Sequence, residues 1–169
     1  MFYDSSSALT NGDSEMLISD LLYSVSYVLI IPVVFTAMEG VAWFLHKYLM
    51  HGFGWYLHED HHHLTGKRFQ KNDVFGLFFG IVSFVLILTG ILSGFDARLA
   101  VGIGIMLYGI GYFMVHDIFF HRRIRIGYRP RSEYMKRVLT AHAIHHQKST
   151  ARTGVNFGFL YASRKSATA

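Results

Sequence analysis

The histidines of this chain fall in two regions and nowhere else. The stretch 46–63 reads HKYLMHGFGWYLHEDHHH and holds His46, His51, His58, His61, His62 and His63. The others are His116, His121, His142, His145 and His146. Each region contains a pair five apart (H-x4-H), followed by H-x2-H-H. One two-part pattern is therefore present twice, and only His63 lies outside it. We expect His63 to be solvated or to hydrogen-bond near the pattern without belonging to it.

On an α-helix at about 100° per residue, His58, His61 and His62 fall within about 100° of arc, on one face. The same holds for His142, His145 and His146. Residues five apart are about 140° apart on an α-helix. His46 with His51, and His116 with His121, would therefore approach a metal cluster from two sides, or one of each pair would sit past a helix end. Ten imidazoles exceed the four to six positions of one mononuclear site, so two metals are expected. Imidazole ligation suits iron, copper, zinc or nickel, and spacing does not separate iron from zinc. Zinc outranks ferrous iron in affinity and can replace it on purification. The chain has no cysteine. Thiolate ligands, disulfides and an iron–sulfur cluster of its own are excluded, and electrons for redox chemistry must come from outside.

The elements that carry these residues are apolar. Of 169 residues, 51% are hydrophobic and 16% charged, which fits one domain with membrane spans. We expect a polar, acidic tail at 1–20, a membrane-embedded domain at 21–162 and a short tail at 163–169. The first tail lacks the basic start of a secretory signal. Spans are expected at 21–45, with Pro32 inside, at 74–92 and at 99–115. The third carries Gly102, Gly104, Gly109 and Gly111, small residues that let membrane helices approach closely. Asn72 or Asp73 is placed to cap the second span. Ser132 is placed to start the helix bearing the last histidines.

Three further polar residues are site candidates. Glu39, inside the first span, is costly there and lies two turns before His46. It is a candidate ligand or partner of one; the alternative is a carboxylate hydrogen-bonded to a neighbouring helix. Asp117 could accept a ring N–H from a ligand histidine. Asn156, in the short apolar stretch 151–162 expected to pack beneath the site, is a candidate hydrogen-bond donor to the ligand surroundings. Arg122 to Arg137 brings seven basic residues. The amino tail has no Lys or Arg, so the basic-loop rule places it outside and both histidine regions at the cytoplasmic face. The expected fold is all-α: an integral membrane bundle of about three to four transmembrane helices with a histidine-rich helical cap.

The stretches EGVAWFLHKYLMHGFGWYLHEDHH, KNDVFG, HDIFFHRR and AHAIHH resemble the bacterial β-carotene hydroxylases, within the fatty acid hydroxylase/sterol desaturase superfamily. The superfamily commonly opens with a shorter H-x3-H box; two H-x4-H boxes, each followed by H-x2-H-H, point to the carotenoid branch. The resemblance implies that the ten patterned histidines bind a non-haem di-iron centre. It implies insertion of one oxygen atom from O2 at C3 of a β-ionone ring, taking β-carotene to β-cryptoxanthin and zeaxanthin. Implied partners are a carotenoid in the bilayer, membrane lipid and a ferredoxin-type electron donor, in a bacterial inner membrane, with no nucleic acid. The rival readings are a fatty-acyl or sterol hydroxylase or desaturase, a non-enzymatic membrane metal-binding protein, and a bis-histidine haem protein. A transporter would hold its ions near mid-membrane, away from span ends.

Overall fold

A computed structural model describes residues 11–63 and 69–165. The first ten and last four residues of the expected tails, and part of the polar stretch after His63, lie outside it. Among the described residues there are helices and no strands. Helix α1 spans Asn11–Phe44 and begins well before the expected span. Nothing from Ser14 to Asp20 is a proline or glycine that would stop it. Pro32 lies within α1 without interrupting it.

A π-helical segment, Leu45–Phe53, continues directly from α1. It leads at Gly54 into α2, Trp55–His62. Helix α3 is Asp73–Leu92, and α4, Ala97–Tyr112, runs on into a second π-helical segment, Phe113–Phe120. Helix α5, Glu133–Lys148, starts where Ser132 accepts the Met135 N–H. Three stretches are long and apolar enough to cross a membrane: Val25–Phe53, Asp73–Leu92 and Ala97–Phe120. The first and third end past the expected limits of 45 and 115, at Phe53 and Phe120, because the chain around the histidine pairs continues the spans in π-helical form.

Helix α4 packs against both α1 and α3. In lipid the driving force is close van der Waals contact rather than water expulsion, so small residues decide the approach. A Cβ on Gly104 would meet the Val34 side chain of α1 at 2.7 Å, and one on Gly102 would meet Ile87 N of α3 at 2.9 Å. Ser83 Oγ of α3 also donates to Gly102 O at 2.9 Å. Gly109, of the same stripe, faces open space. Met38, Ile105 and Tyr108 form the buried core between α1 and α4. Long rows of apolar side chains on α1 and α3 stay exposed, as lipid-facing helices require.

Among the described residues, the chain after α5 forms no further helix or strand and turns back under the spans. Phe157, Phe159 and Ala162 are buried there, the last against Val138 and Ala141 of α5. One carboxylate holds this return in place. Glu39 Oε1 accepts the N–H groups of Phe159, Leu160 and Tyr161 at 2.9, 3.1 and 2.9 Å, and Oε2 accepts the Tyr108 hydroxyl at 2.8 Å. A Cβ on Gly158 would stand 3.0 Å from that same carboxylate oxygen. Glu39 is thus bonded to the neighbouring helix α4 through Tyr108, the alternative the sequence offered, and in addition to the returning loop, which the sequence did not show.

Candidate metal centre

His46, His51 and His116 sit in the two π-helical segments and His121 caps the second just past its end, and this resolves the spacing of the H-x4-H pairs. A π-helix closes its turns at i+5. His121 N donates to His116 O at 3.0 Å and Gly54 N to Leu49 O at 2.8 Å, both five residues back. Partners that an α-helix would set about 140° apart are brought together. The rings of His46 and His51 have centroids 5.1 Å apart, and those of His116 and His121 4.6 Å. The α-helical expectation of opposed approach is corrected for this reason, while His121 does sit just past a helix end, as the other reading had it. After His51 the chain leaves helical geometry at Gly52 (φ −107°, ψ −127°) and turns into α2.

All ten patterned histidines converge. One set of ring nitrogens, all within 4.8 Å of one another, comes from His46, His51, His58, His62 and His145. A second comes from His61, His121, His142 and His146. His116 joins the second set through His61, its Nε2 lying 3.0 Å from His61 Nε2. The sets are copies of each other under the duplicated pattern, with one exchange: His61 of the first region serves the second set, and His145 of the second serves the first. Adjacent residues on a helix diverge by about 100°, so His61 and His62 face different sets. The sets adjoin, with the rings of His62 and His146 stacked at 4.5 Å. His63 is exposed and belongs to neither.

The hydrogen bonds fix which nitrogens face inward. Nδ1 of His46, His51 and His145 donates to the carbonyls of Phe157, Thr150 and Val155, at 2.9, 2.7 and 2.7 Å. His58 Nδ1 donates to Asn72 Oδ1 at 2.7 Å, His61 Nδ1 to Gln70 Oε1 at 3.0 Å and His116 Nδ1 to Asp117 Oδ1 at 2.9 Å. A neutral ring that donates at Nδ1 carries a bare lone pair at Nε2. Yet Nε2 atoms of such rings face each other at 3.1 Å (His46 and His58), 3.2 Å (His51 and His145) and 3.0 Å (His61 and His116). Two lone pairs in contact repel. A metal about 2.1 Å from each nitrogen makes such edges about 3.0 Å at right angles, so the donor set fits a metal ion in each group.

The electrostatics agree. Burial, reinforced by neighbouring imidazoles, pushes His61 and His142 well below the usual histidine range. Burial likewise brings His58 and His146 down to about 2, His145 to about 3, and His62 and His121 to about 4. Neutral imidazoles are the form that ligates metal.

The remaining candidates lie one bond away. Asp117 accepts from His116, as above. Asn156, in left-handed conformation (φ 56°), donates from Nδ2 to Ala141 O at 3.2 Å, next to His142 in α5. That bond seats Val155, whose carbonyl holds His145. Asn72 sits at the start of α3 but makes no cap with its side chain, which is taken by His58. Three contributors escaped the sequence reading: Gln70, Arg123 and the carbonyls of 150–157. KNDVFG had marked the Asn72 region. A carbonyl leaves no sequence signal, and Arg123 was one of seven similar charges.

Beside the second set lies a cavity of about 540 Å³ between α1, α3 and α4. Its walls are mostly apolar, including Met38, Phe75, Phe79 and Ile105, and they also take in Tyr112, Asp117 and Phe159. The Tyr112 ring stacks on His116 at 4.5 Å and Phe159 on His46 at 4.7 Å. Three lining residues thus touch the histidines directly.

Residues 31–163 match the fatty acid hydroxylase family. The chain is 40% identical over 139 residues to the beta-carotene hydroxylase of Pseudescherichia vulneris, covering 82% of this chain and 77% of that one. It is 41% identical over 134 residues to the beta-carotene hydroxylase of Pantoea ananas, covering 79% and 76%. A chloroplastic beta-carotene 3-hydroxylase of an Oncidium hybrid cultivar is 35% identical over 131 residues, covering 76% of this chain and 42% of that one. No solved structure matches. With the family signature spanning both histidine regions and the converging helices between them, the chain belongs to the fatty acid hydroxylase family.

Proposed function

We propose that the chain hydroxylates carotenoids at C3 of the β-ionone ring, taking β-carotene to β-cryptoxanthin and then zeaxanthin. The observation that carries this reading is the mostly apolar cavity whose lining includes residues touching the histidines. Its volume falls in the ordinary range of small-molecule sites, about 300–1,000 Å³, and its walls belong to membrane-spanning helices. A ring carried on a long polyene could enter from lipid while the rest of the molecule stays in the bilayer. Relatives named for the same activity support the choice of substrate.

The ten patterned histidines are the proposed ligands of two irons. Bound there, the iron pair would supply O2 activation: the ring C–H, O2, two electrons and two protons give C–OH and water. The chain does the rest. Nδ1 bonds hold six of the imidazoles neutral and aimed. Met38, Phe75, Phe79 and Ile105 enclose the ring and exclude water. Electrons would come from a ferredoxin-type carrier, drawn to exposed Arg122, Arg125, Arg129 and Arg131 beside the second set. The same charges favour an orientation in a bacterial inner membrane with this face cytoplasmic and the amino end outside. Zinc would fill the same nitrogens after purification.

The test is pigment analysis after expression in a β-carotene-producing bacterium. Zeaxanthin and β-cryptoxanthin are expected. Unchanged β-carotene alongside hydroxylated or desaturated acyl chains would move the assignment to the lipid branch.

A further inference from the structure

The two nitrogen sets match in their rings but not in what backs them. In the first set every identified Nδ1 acceptor is uncharged: three backbone carbonyls and the Asn72 amide. In the second, His116 donates to a carboxylate, Asp117, and His61 to the side chain of Gln70. One cation touches both acceptors. Arg123 Nη2 donates to Gln70 Oε1 at 2.7 Å, and its Nε lies 3.5 Å from Asp117 Oδ1. Its Nη1 donates to Asp73 Oδ1 at 2.6 Å, and Asp73 Oδ2 in turn accepts the Gln70 N–H at 3.0 Å. The Arg123 backbone N–H also donates to Asp117 O at 2.9 Å. The side chain is only 15% exposed, unlike the open basic residues around it.

The geometry leaves Gln70 no freedom. Its Oε1 takes two donors, His61 Nδ1 and Arg123 Nη2, and the reversed amide would satisfy neither. His61 and His116 are the two rings so held, and they face each other in the second set at 3.0 Å. A planar guanidinium can reach three acceptors in fixed directions, which an ammonium cannot do.

We infer that Arg123 is a positioning residue for one of the two metal positions, the one framed by His61 and His116. It sets how firmly that metal is held without touching it. This rests on the histidines being metal ligands, as proposed above. Partners of ligand histidines commonly alter metal affinity about 10–100-fold. Loss of Arg123 should therefore release one metal and spare the other.

The experiment compares full-length wild type, Arg123→Gln, Arg123→Lys and Gln70→Leu, purified in detergent and loaded with 57Fe. Iron per chain is measured before and after mild chelation, and Mössbauer spectra distinguish the two positions. Wild type should keep two irons. Arg123→Gln and Gln70→Leu should keep about one, with the same spectral component lost. Arg123→Lys should not restore it. Asn72→Leu, which unpairs His58 in the first set, should deplete the other component. If Arg123→Gln fails to fold, Gln70→Leu decides. Variants that retain both irons with unchanged spectra, or lose both equally, overturn the inference while leaving the ligand assignment standing. A wild type that holds no iron overturns both.

Discussion

Six of the ten rings in this centre are set by an acceptor behind Nδ1. Asn72 shows the point most simply, since its amide oxygen holds His58 at 2.7 Å. Removing that oxygen with Asn72→Leu should weaken metal retention about 10–100-fold, whereas Asn72→Asp, which keeps an acceptor, should lose less. Equal chelator sensitivity in the two variants would remove Asn72 from this role. Glu39 acts at longer range. Its carboxylate satisfies three backbone N–H groups and the Tyr108 hydroxyl at the level of the spans. Each donor left unpaired there costs about 1–3 kcal/mol. Glu39→Ala should therefore lower the melting temperature of the detergent-solubilised protein clearly more than Glu39→Gln, which keeps one acceptor oxygen. Matching melting curves would contradict this. The sequence marked Glu39 because an acid inside an apolar run is conspicuous. It allowed the bond to a neighbouring helix that Tyr108 makes, but not the hold on the returning loop, because those donors are backbone N–H groups about 120 residues away.

The two π-helical segments explain how a five-residue interval can serve where a four-residue one is usual. In an α-helix, residues four apart share a face. A π-turn absorbs one extra residue and restores the shared face at i+5. H-x4-H in a π-helix and H-x3-H in an α-helix are therefore equivalent presentations of two imidazoles. Removing exposed Tyr48 should let Leu45–Phe53 relax to α-helix with the pair still aligned. Adding one alanine after Tyr48 cannot be absorbed in the same way and should turn the pair apart. The deletion is expected to retain more iron per chain than the insertion; the reverse order would sink this account. Here the sequence was read with the wrong helix. The interval was visible, but a 100° step was assumed for a backbone that closes at i+5.

At the scale of the molecule, three crossings bring the two histidine regions to one end. That much was legible, because uninterrupted apolar runs count the candidate crossings, and two of them, an even number, lie between the two regions. The exchange of His61 and His145 between sets was not read from the sequence, although adjacent histidines must diverge on a helix. Gathering so many imzidazoles in one buried place has an acid-stability consequence. In the unfolded chain a histidine takes up a proton near pH 6.5. In the fold, burial holds His62 and His121 at about 4, His145 at about 3, and His58 and His146 at about 2. As pH falls below about 6.5 the unfolded state binds protons that the folded state refuses, so stability declines. The contribution is complete above pH 6.5 and is lost progressively from there toward pH 4 and below. Thermal unfolding of the metal-free protein in detergent, followed from pH 8 to pH 4, should show a melting temperature that is level at first and then falls. Bound metal should raise the curve and make its acid side steeper, because protons and metal compete for the same nitrogens. A melting temperature that stayed level or rose between pH 6.5 and pH 4 would mean that these imidazoles are not held neutral by burial.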